Sequence, residues 1–176
     1  MKKILLAFNA LLLVICADAQ SLTTPQPSPT QTVKQNFGVG SIELSYSRPG
    51  MKGRKIMGDL VPFNKVWRTG ANAATTITFS DDVTIGGKEV KAGKYGLLTI
   101  PAANKWTIII SKDATINNPA NYKEENDVAR VEADVVALPF SIENFTIAFG
   151  DLTGSSCNVQ LMWENTYVQF PVTAGT

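Results

Sequence analysis

The chain has 176 residues, a formal net charge of +1 and no histidine. Without an imidazole there is no Ser-His-Asp triad, no Cys-His pair, no histidine acid-base catalyst and no histidine-bound zinc. A charge this close to zero also gives no electrostatic footprint for nucleic acid or another polyanion.

Lys2 and Lys3 precede an apolar run over 4–16, and Ala17-Asp18-Ala19 places small residues at both positions that a signal peptidase reads. Residues 1–19 are therefore predicted to be a signal peptide and Gln20 the mature start, with the protein exported to the periplasm or the cell exterior. Acylation of Cys16 is the alternative, which the bulky Ile15 before it disfavours. No other run approaches the ~20 apolar residues of a spanning helix, so no transmembrane segment is expected. Loss of Lys2, Lys3 and Asp18 from sixteen basic and fifteen acidic residues leaves fourteen of each. It also leaves Cys157 as the one thiol, heading a strand-like run, which suits a buried structural cysteine.

Residues 20–33 are polar and carry Pro25, Pro27 and Pro29, the composition of a disordered tether. The rest, 34–173, has the length of one domain, without internal repeat or second low-complexity break. Its apolar residues recur with period two, in chain order Ile42, Leu44 and Tyr46, then Ile77 and Phe79, then Trp106, Ile108 and Ile110. Phe145, Ile147 and Phe149 continue the pattern, followed by Val159, Leu161 and Trp163, and by Val168, Phe170 and Val172. Turn chemistry separates these runs at Gly86-Gly87, 101–104, Gly154-Ser155-Ser156 and Glu164-Asn165. Short helical turns are expected only within 55–60 and 119–127. Eight or nine short strands of this kind predict an all-β fold, an antiparallel β-sandwich or a jelly-roll. Trp106 and Trp163 fall in phase with the buried positions and are expected in the core.

Between residues 46 and 76 the periodicity stops. This stretch holds three of the four arginines, four glycines and a Trp-Arg pair, and a long irregular connection of that composition is held by specific hydrogen bonds and is a place to look for function. Arginine presents a planar fork of donors suited to carboxylates, phosphates and vicinal hydroxyls. If Arg48, Arg54 and Arg68 converge, with Asn72 as a further donor and Trp67 as a wall, they form a pocket for a small polar, anionic or saccharide ligand. In the alternative, the same arginines brace the fold through loop carbonyls or acidic partners, and Trp67 plugs the edge of the sandwich. The charge distribution allows such pairing: Arg48, Lys52, Arg54, Lys55, Lys65 and Arg68 face Asp59 alone, whereas 113–143 is predominantly acidic. The two stretches are expected to pair across the fold, with lining of opposite faces as the alternative.

Other chemistries find little support. Asp81-Asp82 suits a turn better than a cation site, and glycoside hydrolysis needs two carboxylates facing one cleft. Gly93 and Gly96 around Tyr95 suggest a bulge or a close backbone approach. No catalytic residue, metal or cofactor is assigned.

The elements Arg48-Pro49, Gly53-Arg54, Trp67-Arg68-Thr69-Gly70-Ala71-Asn72 and Gly93-Lys94-Tyr95-Gly96 together resemble the bacterial domain-of-unknown-function family 2911 over about 34–172. The resemblance implies an exported protein of Bacteroidetes type. Where many relatives carry an acidic residue after the Gly-Ala-Asn, this chain has Ala73, which weakens any scheme that uses a carboxylate there. Three functions follow as expectations: a non-catalytic binding module at Arg48, Arg54, Trp67, Arg68 and Asn72; an interaction or scaffold module of the cell envelope, with an envelope protein as partner; and a histidine-free carboxylate hydrolase.

Overall fold

Alternating apolar residues fold here into ten antiparallel strands: β1 (Thr30–Phe37), β2 (Gly40–Ser47), β3 (Thr76–Phe79), β4 (Val83–Ile85), β5 (Lys88–Val90), β6 (Gly93–Ile100), β7 (Lys105–Ser111), β8 (Asp127–Asp134), β9 (Val136–Gly150) and β10 (Ser156–Ala174). The computed structural model describes residues 24–175, so the signal peptide expected over 1–19 and the Cys16 alternative lie outside the described residues. A six-stranded sheet, β1-β2-β3-β6-β7-β8, packs on a four-stranded sheet, β5-β4-β10-β9, and neither closes into a barrel. The protein is an all-β antiparallel sandwich, as its periodicity predicts.

The core lies between the sheets because period two puts every second side chain on one face. Ile42, Leu44, Ile77, Ile108 and Ile110 from one sheet meet Phe145, Ile147, Val159, Leu161 and Phe170 from the other, all essentially inaccessible to solvent. Each such side chain contributes about 1.5–3 kcal/mol relative to exposure. Tyr46 adds a polar bolt across the gap: its Oη accepts from Ile147 N at 2.8 Å and lies 2.8 Å from Gln31 Oε1. A smaller cluster, Leu98, Ile109 and Ile116, forms where the 112–126 connection covers the outer face of β6 and β7.

Several boundaries differ from the sequence reading. β1 begins at Thr30 and pairs along its whole length with β2, so 30–33, expected as tether, are strand. Its polar alternation half-buries only Gln31, Val33 and Gln35, which makes an edge strand look like linker. β8 arises in the acidic stretch because the small residues Ala129 and Ala133 face inward while Glu132 and Asp134 face out toward Lys105. The turn expected at Glu164-Asn165 does not break the chain: Glu164 takes a left-handed φ of 55° and shifts the register within one continuous β10. Helical structure appears as 3-10 turns at Pro119–Asn121 and Glu124–Asn126, whereas 55–60 forms non-helical turns. Gly96 does mark a close approach, since a Cβ there would sit 2.4 Å from the carbonyl oxygen of Asp113.

The expected charge pairing between 46–76 and 113–143 is not formed. Among the described residues, ion pairs join Lys91 to Asp82 and Glu89, Lys105 to Glu132 and Asp134, and Arg130 to Glu124 and Asp127. Glu124, Asp127, Glu132 and Asp134 are taken by cations on neighbouring strands or within a turn. Where the basic loop meets an acid, it offers backbone: Met51 N donates to Glu143 O at 2.8 Å and Lys52 N to Glu143 Oε1 at 2.9 Å. An irregular segment has orphan amides to satisfy, and those claim the nearest acceptors.

Candidate functional site

Of the contacts that pin the 48–75 connection to the sandwich, four shape the site. Arg48 anchors its start: Nε donates to Phe145 O at 3.1 Å and Nη2 to Thr146 Oγ1 at 2.8 Å, while its own amide donates to Pro29 O at 3.0 Å. Farther on, the Glu164 carboxylate accepts from Met57 N at 3.0 Å and from Ile56 N at 3.4 Å, fixing two buried residues of the loop. The left-handed turn of β10 places that carboxylate, and nothing in the sequence period signalled it.

Trp67 is the third anchor. Its amide donates to Thr99 O at 2.7 Å and its carbonyl accepts from Thr99 N at 3.0 Å. The indole stacks on Trp163 at 5.9 Å and 17° and meets Trp106 and Phe145 edge-on. This is the plugging role: aromatic pairs of this kind add about 0.5–1.5 kcal/mol beyond area burial. At the fourth anchor, Thr69 is buried with φ 59°, a conformation a β-branched residue avoids. It is held there by Thr69 Oγ1 donating to Thr99 Oγ1 at 3.1 Å and by Thr75 Oγ1 donating to Thr69 O at 2.8 Å. Gly70 follows because Ser47 O and Thr75 Oγ1 leave little room for a Cβ. Strain that surrounding contacts over-determine is a mark of functional segments.

These anchors leave a cavity of about 280 Å³, which Arg54, Trp67, Arg68 and Trp163 line. Pro49, Leu60 and Val61 give it an apolar wall, and Ser28, Gly70 and Ala71 complete it. Arg54 is partly committed, with Nε donating to Met51 O at 2.9 Å and Nη2 to Gly50 O at 2.8 Å. The Nε of Arg68 is buried, and among the described residues no atom accepts from it. Among the described residues, neither Arg54 nor Arg68 is in an ion pair, and no carboxylate lines the cavity.

Of the five residues expected to converge, the fold therefore brings together Arg54, Trp67 and Arg68. It leaves out Arg48, whose guanidinium is spent on β9. It also leaves out Asn72, an exposed residue with φ 56° whose Nδ2 donates to Ser28 O at 3.0 Å and so ties down the N-terminal segment. Sequence reasoning missed Trp163 as a lining residue because its strand phase marks only burial, and missed Ser28 because it lies in the presumed tether.

Two carboxylates elsewhere have shifted affinities for the proton. Asp82 is held below its ordinary value by Lys91 and by the Ala92 amide, and with Asp81 it lines a recess of about 30 Å³, the space of a single water. Burial pushes the Asp127 carboxyl up; it accepts from Tyr122 Oη at 2.7 Å and shares Arg130 with Glu124. Among the described residues, no group of three or more Cys, Asp and Glu is placed to hold a metal ion, and no helix is long and apolar enough to cross a membrane.

A family model described as a protein of unknown function, DUF2911, matches residues 28–172, and the chain belongs to that family. Comparison with curated proteins and with solved structures finds no match.

Proposed function

We propose that this family member is an exported, non-catalytic binding module that takes a small anionic ligand into the cavity between Arg54, Arg68 and the Trp67–Trp163 pair. The observation that carries this reading is the pair of guanidiniums lining one cavity without a counter-charge, one of them with a buried Nε that no protein atom accepts from. Both cations lack an acidic partner among the described residues, and an anionic ligand supplies the counter-charge that the fold does not. Trp67 and Trp163 make the test direct: titration with small anions should change tryptophan fluorescence, and Arg68→Gln should abolish the change. A saturable response that survives Arg68→Gln would refute the assignment. Export rests on the N-terminal pattern, and N-terminal sequencing of the protein from its producing cell should read from Gln20.

The scaffold reading draws on a different observation. Arg48 spends its donors on Phe145 O and Thr146 Oγ1 of β9, as a brace does, so at that position the bracing role accounts for the side chain.

A further inference from the structure

Building on the anion-binding reading, we infer that the ligand is a compact organic monocarboxylate with an apolar body of about ten non-hydrogen atoms. Its size follows from the cavity of about 280 Å³, which at ~30 Å³ per water holds the equivalent of about nine waters.

The lining decides the chemistry. Arg54 and Arg68 are donors only, and Pro49, Leu60 and Val61 offer no polar side-chain atom. Both tryptophans can only donate through their indole nitrogens, and Nε1 of Trp163 already donates to Glu143 O at 3.1 Å. The Ser28 hydroxyl is thus the one side-chain acceptor in the lining. Each hydroxyl of a sugar brings a donor that would have to find a backbone carbonyl, whereas a carboxylate brings only acceptors to a lining whose charged side chains are donors. A phosphate monoester brings three strong acceptor oxygens and nearly two charges, more than the cavity matches once Nε and Nη2 of Arg54 are committed to Met51 O and Gly50 O. A carboxylate carries one charge and two oxygens that suit planar guanidinium forks, and its hydrocarbon part meets the wall formed by Leu60, Val61 and Trp163.

Arg68 is also held ready. The residue after it, Thr69, is locked in its left-handed conformation by Thr99 and Thr75, so the backbone that carries the guanidinium is fixed before any ligand arrives.

The experiment is a calorimetric and tryptophan-fluorescence titration of the full protein with benzoate, hexanoate, benzamide, inorganic phosphate and glucose. Benzoate and hexanoate should bind and change the fluorescence, while benzamide, a neutral isostere of benzoate, and glucose should not. Arg68→Gln should weaken benzoate at least ~10-fold, and Arg68→Lys should fall short of wild type because it keeps the charge and loses the fork. Tighter binding of phosphate or glucose than of benzoate would overturn the carboxylate class and leave the cavity reading standing. Equal binding of benzamide and benzoate overturns the ionic recognition on the wild-type protein alone, without reliance on a variant. If none of the probes binds, both readings fall.

Discussion

Arg48→Ala and Arg68→Ala, two truncations of the same residue type in one loop, should have very different effects on stability. Arg48 bridges the loop to β9 with two charge-assisted hydrogen bonds, at 3.1 and 2.8 Å. Bonds to charged groups contribute about 1.5–3 kcal/mol each, and part of that is recovered when water reaches the vacated half-buried site. Arg48→Ala should therefore cost about 2–4 kcal/mol, a large share of the ~5–15 kcal/mol that holds a domain together. Arg68 has no ion pair and its buried Nε has no acceptor. Truncation loses the packing of its aliphatic stem but also removes a buried donor that is unsatisfied in the wild type, at a cost of about 1–3 kcal/mol. The two terms oppose, and Arg68→Ala should stay within about 1 kcal/mol of wild type. Urea denaturation followed by tryptophan fluorescence and by circular dichroism, with coincident transitions, gives both values. A loss above ~3 kcal/mol for Arg68→Ala is what removing one member of a buried pair produces; it would make Arg68 a brace and refute the reasoning. A loss under ~0.5 kcal/mol for Arg48→Ala would refute the assignment of Arg48 as the anchor.

Tyr46→Phe removes the one side-chain partner of the buried Ile147 amide and the contact with Gln31, and should cost about 1–3 kcal/mol by the same denaturation measurement; an unchanged midpoint would contradict the bolt between the sheets. Burial raises the Asp127 carboxyl above its ordinary value of 3.8, so the folded state binds that proton more tightly than the unfolded chain. Its stabilising contribution is complete below the unfolded value and is lost as pH rises through the raised folded value. Asp127→Asn should flatten that part of the stability profile, and a profile identical to wild type on the alkaline side of pH 3.8 would count against it. Burial also pushes the Cys157 thiol up to about 11. The native protein should resist alkylation at mildly alkaline pH and react in denaturant; rapid labelling of the folded state would place the thiol at the surface.

The strands that buried their apolar residues on one face were legible, because period two is a local property of the chain and the hydrophobic effect acts on it directly. Phase alone places Trp106 and Trp163 in the core, and both are buried there. Strands that bury little were not legible: β1 is polar and gains its place by pairing with β2, and β8 hides its inward face behind alanines. Charge was the weakest guide. Arg130, which lies within the acidic stretch, pairs with Glu124 and Asp127 instead of leaving those acids to the loop arginines, because proximity along a turn costs less entropy than pairing across the molecule.

The sequence by itself determined the fold class, the family and the segment worth examining, since alternation, turn residues and a dense irregular motif are all readable within short windows. Only the tertiary structure decided which arginines share a cavity. Arg48, Arg54 and Arg68 are chemically alike, and what separates them is which carbonyls lie within reach: those of β9 for Arg48, those of its own turn for Arg54, and none for the Nε of Arg68. That depends on how β9 and β10 pass beneath the loop, on the left-handed residues Glu164 and Thr69 that aim it, and on Trp67 stacking against Trp163. These are contacts between residues far apart in the chain, and no local pattern encodes them.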